Sequence, residues 1–427
     1  MTIRKLSWFI VVMPTVALLS LPQHLRSAET PQTEPVSLPL PDPLMMSNGT
    51  KVTSAEQWRA QRRPELLRLF AETIYGNTPI GRPEQLRFVL REEKKDARGG
   101  KATRLRVGIL FEGRDNGRQM ELLVYLPNSA KGPVPFFLGL NFDGNFTTTD
   151  ETDLPLPAHF VQGLFVSVPD HRAAESLRGH SRSMWPYDTI LDRGYGIATA
   201  CYGEVEPDMP NQWWHGPRVL APPSHSDDWG AIGAWAWSLS RAMDYLVTEP
   251  RVDGKRVAVL GFSRLGKTAM WAGAQDERFA AVISQNSGKG GVSLSKRLIG
   301  ERVSHLAGNL AHWFAPNYAR FIDREDALPI DGHELAALIA PRGLLILSGR
   351  DDHYSDPEGE FLSGVAATPV YQLLGSQGLA AGKWPSPPTL INSTLGYFIR
   401  PGGHNVTADD WRATLDWSDR HLKRIER

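Results

Sequence analysis

The sequence predicts a three-layer αβα sandwich on a mostly parallel central sheet, and three observations lead to this fold class. Short, continuously apolar runs recur along the chain, as expected for parallel strands that are buried on both faces. Helical patterns separate these runs, and this alternation places helices on both faces of a sheet. One run, residues 257–260, passes through a sharp turn directly into a helical pattern.

The strands are predicted from their polarity patterns. The runs at residues 103–111 and 120–126 alternate between apolar and polar side chains, which indicates an antiparallel hairpin that leads into the sheet. The later runs are short and apolar throughout, which indicates buried parallel strands. They cover residues 135–140, 196–201, 257–260, 280–284, 344–348 and 396–399.

Three helices are predicted in the same way, from apolar residues that recur every three or four positions. They cover residues 55–74, 226–247 and 408–424. No internal repeat and no second linker follow residue 45 in the sequence. We therefore expect residues 54–427 to form a single domain.

The first 53 residues show two different patterns. Arg4 and Lys5 precede a mostly apolar stretch at residues 6–21, and small residues follow up to position 28, as in a signal peptide. The apolar stretch is short for a membrane span, and an uncleaved anchor is the alternative. Residues 29–53 are rich in proline and are expected to be extended. Residues 1–28 thus predict export, with no stable membrane association after cleavage.

Composition narrows the classes of function. The chain has 47 basic and 47 acidic residues, so no excess charge would attract nucleic acid or a membrane surface. The single cysteine, Cys201, excludes an intramolecular disulfide, which suits a bacterial periplasm or exterior better than a eukaryotic secretory route. The sequence holds no cluster with metal-ligand spacing, so we expect no metal and no cofactor. A monomer is the default expectation for the oligomeric state.

The strongest motif is Gly261-Phe-Ser263-Arg-Leu-Gly-Lys267, between the strand at 257–260 and a helix. A serine on a sharp turn between a strand and a helix is the nucleophile elbow of the α/β-hydrolase fold. The helix N-terminus favours the negative charge that develops during acyl transfer. Leu265 occupies the position of the second glycine in G-x-S-x-G, and a serine that only caps the helix is the alternative. We predict Ser263 as a nucleophile.

A serine nucleophile needs a general base and an oxyanion hole. In this fold the histidine follows the serine and the acid along the chain. His404 lies between an apolar strand and the last helix and is the predicted base, whereas His333 opens a helical segment and is interpreted as structural. The oxyanion hole is expected to use the backbone N–H of Arg264 and donors from residues 141–145.

The acid that orients the base is expected after the strand at residues 344–348. Asp352 follows this strand and would hold the imidazole and stabilise the imidazolium. Asp351 and Asp356 remain alternatives, and an aspartate here also suits a turn or a helix cap.

Four sequence blocks, within a similarity that spans about residues 54–421, carry a resemblance to a known family: Gly261-Phe-Ser-Arg-Leu-Gly-Lys267, Ser287-Gly-Lys-Gly-Gly291, Ala340-Pro-Arg342 and Asp356-Pro-Glu-Gly-Glu-Phe361. They resemble the glucuronoyl esterases, carbohydrate esterase family 15. These esterases cleave the ester that joins 4-O-methyl-glucuronic acid on xylan to lignin alcohols. The resemblance therefore implies an α/β-hydrolase esterase that acts on glucuronoxylan or on lignin–carbohydrate esters.

The resemblance also implies roles for individual residues. Arg264 would help to stabilise the oxyanion, and Lys267 would bind hydroxyls of the uronate ring. Lys267 is also unusual by itself, because a cation opposes the helix dipole in the first helical turn. Glu301 matches a glutamate that binds the sugar. Trp313 lies in a segment that resembles a family motif along the cleft, so we expect it to contact the substrate.

Three departures from the family pattern matter. Many members place the catalytic acid where this chain has Asn286, and an amide cannot supply that charge, which strengthens the prediction of Asp352. Tyr354 stands where a substrate-stacking tryptophan is common, so we expect it to bind substrate. Phe262 replaces a disulfide cysteine of fungal relatives, which agrees with a bacterial type.

Two other functions remain open from the sequence. One is a carbohydrate acetyl esterase on the same fold, which would not depend on Lys267 and Glu301. The other is a non-catalytic carbohydrate-binding relative, which the amide at Asn286 suggests.

Overall fold

The computed structural model describes residues 39–157, 168, 171–379 and 382–423. The predicted signal peptide, residues 1–28, lies outside these described residues. Residues 39–53 form turns and one isolated bridge, and they contact the rest of the domain. The Pro43 carbonyl accepts from Arg62 Nε at 3.1 Å, and the Pro41 carbonyl lies 2.7 Å from Nε2 of the buried His333. In the described part of the chain, no helix combines the length and apolarity that crossing a membrane requires.

A ten-stranded mixed sheet forms the centre of the domain. Its strands are β1 Arg87–Ala97, β2 Ala102–Leu110, β3 Gln119–Pro127, β4 Val134–Asn141, β5 Gly196–Cys201, β6 Val252–Phe262, β7 Ala281–Gln285, β8 Gly343–Gly349, β9 Thr389–Ile391 and β10 Leu395–Arg400. The spatial order is β1-β2-β3-β5-β4-β6-β7-β8-β10-β9. The strands from β5 to β10 in this order are mutually parallel, whereas β1, β2, β3 and β9 pair antiparallel.

Helices cover both faces of this sheet. They are α1 Ala55–Gln57, α2 Arg63–Phe70, α3 Tyr187–Asp192, α4 Tyr202–Val205, α5 Ala231–Leu246, α6 Arg264–Gln275, α7 Val303–Asn309, α8 Gly332–Ala337, α9 Pro357–Leu373 and α10 Ala408–His421. Helices α5, α6, α8 and α9 pack on one face, and α3 and α10 pack on the other. Successive side chains of a strand alternate between the two cores, as Phe136 and Phe137 do in β4. The predicted three-layer sandwich is thus confirmed.

The details differ from the sequence prediction in several places. Strands β1 and β9 were not predicted, because β1 is a charged edge strand and β9 has only three residues. The helix predicted at residues 226–247 begins only at Ala231, after an extended Gly230. The first helical stretch runs from Ala55 to Tyr75 but contains π-helical turns at Trp58–Arg62 and Ala71–Tyr75. Helix α9, at Pro357–Leu373, was also not predicted, because it is apolar around most of its circumference.

The parallel strands bring the predicted site residues to one edge of the sheet. Ser263 follows β6, Asn286 follows β7, Asp352 follows β8, and His404 follows β10. The carboxyl ends of parallel strands meet at a common edge, where α/β proteins build their sites.

Candidate active site

Ser263 occupies a sharp turn between β6 and α6. Its backbone has φ 58° and ψ −128°, which an L-residue rarely adopts. The Ser263 N–H donates to the Gln285 carbonyl at 2.9 Å, and the Ser263 carbonyl accepts from the Gly266 N–H at 2.8 Å. A Cβ on Gly261 would lie 1.9 Å from the Leu265 carbonyl oxygen, so glycine alone permits this close approach of strand and helix. The turn places the serine at the N-terminus of α6.

The structure brings the three predicted catalytic residues together. His404 Nε2 lies 2.9 Å from Ser263 Oγ, and His404 Nδ1 lies 2.7 Å from Asp352 Oδ2. With its proton on Nδ1, the imidazole donates to Asp352 and accepts from the serine hydroxyl. Phe262 packs against the imidazole, with ring centroids 4.7 Å apart. This geometry suits proton transfer from the serine to the histidine.

Asp352 is buried and surrounded by donors. Its Oδ1 accepts from the N–H groups of Tyr354 and Ser355 at 3.0 and 3.2 Å. Its Oδ2 accepts from Asn286 Nδ2 at 2.6 Å as well as from His404. Burial alone would raise the pKa of Asp352, but the hydrogen bond and charge of His404, together with the other donors, lower this pKa below its ordinary value. Asp352 is therefore ionised at neutral pH.

The two other candidate acids have different partners. Asp351 Oδ2 accepts from the Gly402 N–H at 3.0 Å on the exposed side of the loop. Asp356 caps the N-terminus of α9 and forms an ion pair with Arg297 at 3.0 Å. Among the described residues, neither carboxylate contacts His404, so the geometry supports Asp352.

Arg264 is the first residue of α6, and its guanidinium is held on two sides. It donates to the buried Asp208 and lies 4.5 Å from the centroid of the Trp313 ring. Within the described residues, neither its backbone N–H nor its Nε donates to a protein acceptor. The backbone N–H at the start of α6 is therefore left for a carbonyl oxygen, the role that the sequence predicted for it, whereas Nε is buried.

Asp208 organises this part of the site and was missed by the sequence analysis. Besides Arg264, its carboxylate contacts Tyr202 Oη at 3.0 Å, His312 Nε2 at 2.8 Å and Trp313 Nε1 at 2.5 Å. Burial opposes ionisation, but the bonds from His312 and Trp313 and the charge of Arg264 lower the pKa of Asp208 to about 2. In the sequence it lies in a proline-rich loop, where an aspartate is an ordinary turn residue.

The loop after β4 was predicted to supply oxyanion donors. The side-chain amides of this loop donate hydrogen bonds to other groups of the protein. Asn141 Nδ2 donates to Asn145 Oδ1 at 2.8 Å and to Thr199 Oγ1 at 3.0 Å. Asn145 Nδ2 donates to the Glu121 carbonyl at 2.8 Å. The oxyanion prediction for this loop therefore depends on its backbone N–H groups.

Lys267 and Glu301 meet one helical turn beyond the serine. Lys267 is buried, and its Nζ donates to the Ser287 carbonyl at 2.7 Å and lies 3.4 Å from Glu301 Oε2. The Glu301 N–H donates to the Tyr354 carbonyl at 2.9 Å, which ties this pair to the loop that carries Asp352. A charged donor and a charged acceptor thus lie side by side near Ser263, which suits the binding of vicinal hydroxyls.

The two predicted aromatic residues occupy different environments. The Tyr354 side chain is 67% exposed, and its ring lies beside His404, with centroids 6.4 Å apart. Trp313 is buried, because it packs against Arg264 and donates to Asp208. Tyr354 is thus open to a substrate, whereas the structure places Trp313 where it orients Arg264.

Glu360 is a second residue that the sequence analysis missed. Its side chain is fully buried. It accepts a hydrogen bond from the Gly288 N–H at 2.9 Å and another from Ser348 Oγ at 2.5 Å. Burial raises the pKa of Glu360 to about 8, so this carboxyl is protonated at neutral pH. It joins the turn after β7 to the end of β8. The block Asp356–Phe361 contained it, but no local pattern assigned it a role.

The site combines a serine, a histidine within hydrogen-bond reach of it, and a carboxylate that holds the histidine. On this fold, these features define the class of α/β-hydrolases with a serine nucleophile. Comparisons with known proteins narrow the class. A family model described as glucuronyl esterase of fungi matches residues 224–375. A carbohydrate esterase from an unknown prokaryotic organism is 44% identical to this chain, and the alignment covers 90% of this chain and 89% of the esterase. The chain belongs to the glucuronoyl esterases of carbohydrate esterase family 15 and is a carboxylic ester hydrolase.

Two further relatives agree with this family assignment. The solved structure of a glucuronoyl esterase from Solibacter usitatus is 40% identical, with a TM-score of 0.85 over 90% of this chain and 98% of that one. A 4-O-methyl-glucuronoyl methylesterase from Schizophyllum commune is 27% identical over 89% of this chain and 88% of its own. The resemblance stated from the sequence motifs is therefore confirmed.

Proposed function

We propose that this chain hydrolyses esters of 4-O-methyl-glucuronic acid, and that its natural substrates join this uronate on glucuronoxylan to lignin alcohols. The observation that carries the proposal is the pair of the buried Lys267 with the partly exposed Glu301, close to the Ser263–His404 hydrogen bond. A charged pair of this kind recognises a hydroxylated ring close to the ester. Relatives named for glucuronoyl and 4-O-methyl-glucuronoyl esters support the same substrate class.

The reaction follows from the positions of the atoms. Ser263 Oγ attacks the ester carbonyl while His404 Nε2 takes the hydroxyl proton, and Asp352 stabilises the imidazolium. The oxyanion accepts hydrogen bonds from the backbone N–H and the guanidinium of Arg264. When the intermediate collapses, His404 returns the proton to the leaving alcohol and the uronoyl group stays on Ser263.

The second half of the reaction repeats these roles with water. His404 takes a proton from a water molecule, which attacks the acyl carbonyl. Collapse of the second tetrahedral intermediate releases the uronate, and His404 returns the proton to Ser263 Oγ. Asp352 stays ionised throughout, because its hydrogen-bond donors lower its pKa.

The substrate contacts follow from the surroundings of the serine. Lys267 and Glu301 bind ring hydroxyls of the uronate, which holds its carbonyl at Ser263. Tyr354 is exposed next to the ring of His404, so it contacts the alcohol side of the ester. The acetyl-esterase alternative gives no role to the Lys267–Glu301 pair, and the assembled serine–histidine geometry disfavours a non-catalytic relative.

The pattern of residues 1–28 supports export to a bacterial periplasm or exterior, where the polysaccharide substrate is found. For the mature enzyme we propose a monomer, without stable membrane association.

The experiment that tests this function compares two esters. We expect Glu301→Gln to lower kcat/KM for benzyl glucuronate by about 10- to 100-fold, because a hydrogen bond to a charged group contributes about 1.5–3 kcal/mol. Hydrolysis of p-nitrophenyl acetate, which carries no ring hydroxyls, should change by less than about threefold. Lys267→Met should behave in the same way.

The matched control is Glu358→Gln, which removes a half-exposed carboxylate paired with Arg297 on the same side of the site. It should leave both activities unchanged. Equal losses on the two esters in Glu301→Gln, or a wild-type preference for the acetate, would mean that this pair does not recognise a uronate.

A further inference from the structure

The stretch of chain that leads into Glu301 is exposed in its middle. We name residues 297–301 the Glu301 segment. Leu298 and Ile299 are 59% and 49% exposed, so their apolar side chains make little contact with the core. Core packing therefore does not fix this segment, and its position depends on the polar contacts at its two ends.

The second end of the Glu301 segment meets the loop after β8. The Glu301 N–H donates to the Tyr354 carbonyl at 2.9 Å. Gly300 has φ 76°, and a Cβ at this position would lie 2.5 Å from the same carbonyl oxygen, so only glycine allows the contact. The next residue, Arg302, is paired with Glu325 at 2.7 Å. This end is therefore fixed by its backbone and by its neighbour.

The first end of the Glu301 segment is held by an ion pair with Asp356. Arg297 Nε donates to Asp356 Oδ1 at 3.2 Å and lies 3.0 Å from Oδ2. The Asp356 side chain is 2% exposed, whereas that of Glu358, which contacts the same guanidinium, is 38% exposed. Solvent screens a buried ion pair less than an exposed one. Asp356 is therefore the stronger anchor of the two.

Asp356 is itself held in a fixed position. Its backbone is left-handed, with φ 53° and ψ 73°, and its side chain accepts from the Gly359 N–H at 3.1 Å at the N-terminus of α9. The buried Lys289 has no acceptor for its Nζ among the described residues. Burial lowers the pKa of Lys289 to about 8, and the charge of Asp356 opposes this. The carboxylate thus faces two cations and a helix N-terminus, which all favour its ionised form.

Asp356 belongs to the loop that carries the predicted catalytic acid. It follows Asp352 in this loop, and Asp352 holds His404 at 2.7 Å. The ion pair with Arg297 therefore ties the Glu301 segment to the loop that orients the base. The position of the Glu301 carboxylate relative to the reacting carbonyl depends on this link.

We propose that Asp356 is a positioning residue, which holds Glu301 in place for the uronate ring through its ion pair with Arg297. This inference rests on the proposed function and adds a residue that determines specificity. Asp356 touches neither the substrate nor the reacting atoms. Its loss should weaken recognition of the uronate and leave the chemistry at Ser263 intact.

The test replaces the two partners of the ion pair, singly and together. Asp356→Asn keeps a cap for α9, because asparagine is also a favoured N-cap residue, but removes the charge that holds Arg297. It should raise KM for benzyl glucuronate about 10-fold and leave kcat within about threefold. Arg297→Met should do the same, and the double variant should be no worse than either. Hydrolysis of p-nitrophenyl acetate should stay within about twofold in all three variants.

The matched control is Glu358→Gln, which removes the more exposed partner of the same guanidinium and should leave KM unchanged. A second comparison places Asp356→Asn in a Glu301→Gln background, where it should add nothing, because the carboxylate that it positions is gone. A further rise of KM in that background would overturn the inference. So would a loss of kcat on both esters in Asp356→Asn, because the residue would then act on the catalytic loop.

Hydrogen exchange tests the positioning without any ester. The Glu301 N–H should exchange about 10-fold faster in Asp356→Asn and in Arg297→Met than in the wild type, whereas Glu358→Gln should not change it. Arg297→Met alters a partly exposed side chain, so it serves even if Asp356→Asn does not fold. Unchanged exchange at Glu301 would refute the inference even if the wild type hydrolyses benzyl glucuronate. Faster exchange in a protein that hydrolyses only the acetate would refute the proposed function alone.

Discussion

Replacing Asp352 by asparagine tests whether the acid after β8 serves the catalytic histidine. In the wild type all four contacts of the carboxylate are with donors: two backbone N–H groups, Asn286 Nδ2 and His404 Nδ1. An asparagine in either orientation directs its own NH₂ group at donors. If the NH₂ group faces His404, the imidazole must give up its proton on Nδ1 or lose this contact, and in the other tautomer Nε2 cannot accept from Ser263. If it faces the other way, it opposes the N–H groups of Tyr354 and Ser355, and the contact with His404 loses its charge.

The expected magnitude follows from the contacts that are lost. A hydrogen bond of 2.7 Å to a charged group contributes about 1.5–3 kcal/mol. The attraction between an imidazolium and a carboxylate about 4 Å apart adds about 4 kcal/mol at an effective dielectric constant of about 20. The two contributions overlap, so we expect a total of about 4–6 kcal/mol. This corresponds to a loss in kcat of about 10³- to 10⁴-fold.

The assay is the release of benzyl alcohol from benzyl glucuronate at saturating ester. Asp351→Asn is the matched control, since Asp351 is the adjacent carboxylate and contacts the Gly402 N–H on the exposed side of the loop. It should retain kcat within about threefold. If Asp352→Asn kept kcat within about tenfold of the wild type, another group would be the acid and the assignment would be refuted.

Three further predictions concern residues around the triad. Glu360→Gln should remove a pH dependence of stability: the folded-state pKa of about 8 exceeds the ordinary 4.5, so the wild type loses stability as pH rises from about 4.5 to about 8. The difference in melting temperature, variant minus wild type, should therefore increase as pH rises from about 4.5 to about 8. A difference that does not change with pH would contradict the prediction. Gly261→Ala should cost about 3 kcal/mol or more in denaturant unfolding or abolish activity, because its Cβ would meet a backbone carbonyl; wild-type stability and activity would refute the elbow packing. Asp208→Asn should lower kcat about as much as Arg264→Met, about 100-fold, and the double variant should be no worse; additive losses would show that Asp208 does not act through Arg264.

The fold was predictable from the sequence because its core strands carry a strong local pattern. Each of the eight predicted strands overlaps a strand of the structure. Six of them are apolar throughout, as strands buried on both faces must be, and β2 and β3 were predicted from their alternating polarity. Strand β1 was missed because its charged residues suit an exposed edge, and this composition is shared with loops.

The candidate site was predictable only in part. Ser263 and His404 could be proposed because the elbow is a local motif and the chain order of this fold is fixed. Asp208 and Glu360 could not be proposed, since their roles depend on contacts distant in sequence. Asp208 lies 56 residues from Arg264 in the sequence, and Glu360 lies 72 residues from Gly288, whose N–H donates to it. Only the packed sheet brings such groups together.

The measurement that most directly tests the serine esterase mechanism is the hydrolysis of benzyl glucuronate by the wild type and by Ser263→Ala. Removal of a triad serine costs about 10⁶-fold in kcat when it is the nucleophile. We therefore expect the variant to fall to the background rate while its melting temperature stays close to that of the wild type. Activity of Ser263→Ala within about tenfold of the wild type would contradict nucleophilic catalysis by this residue.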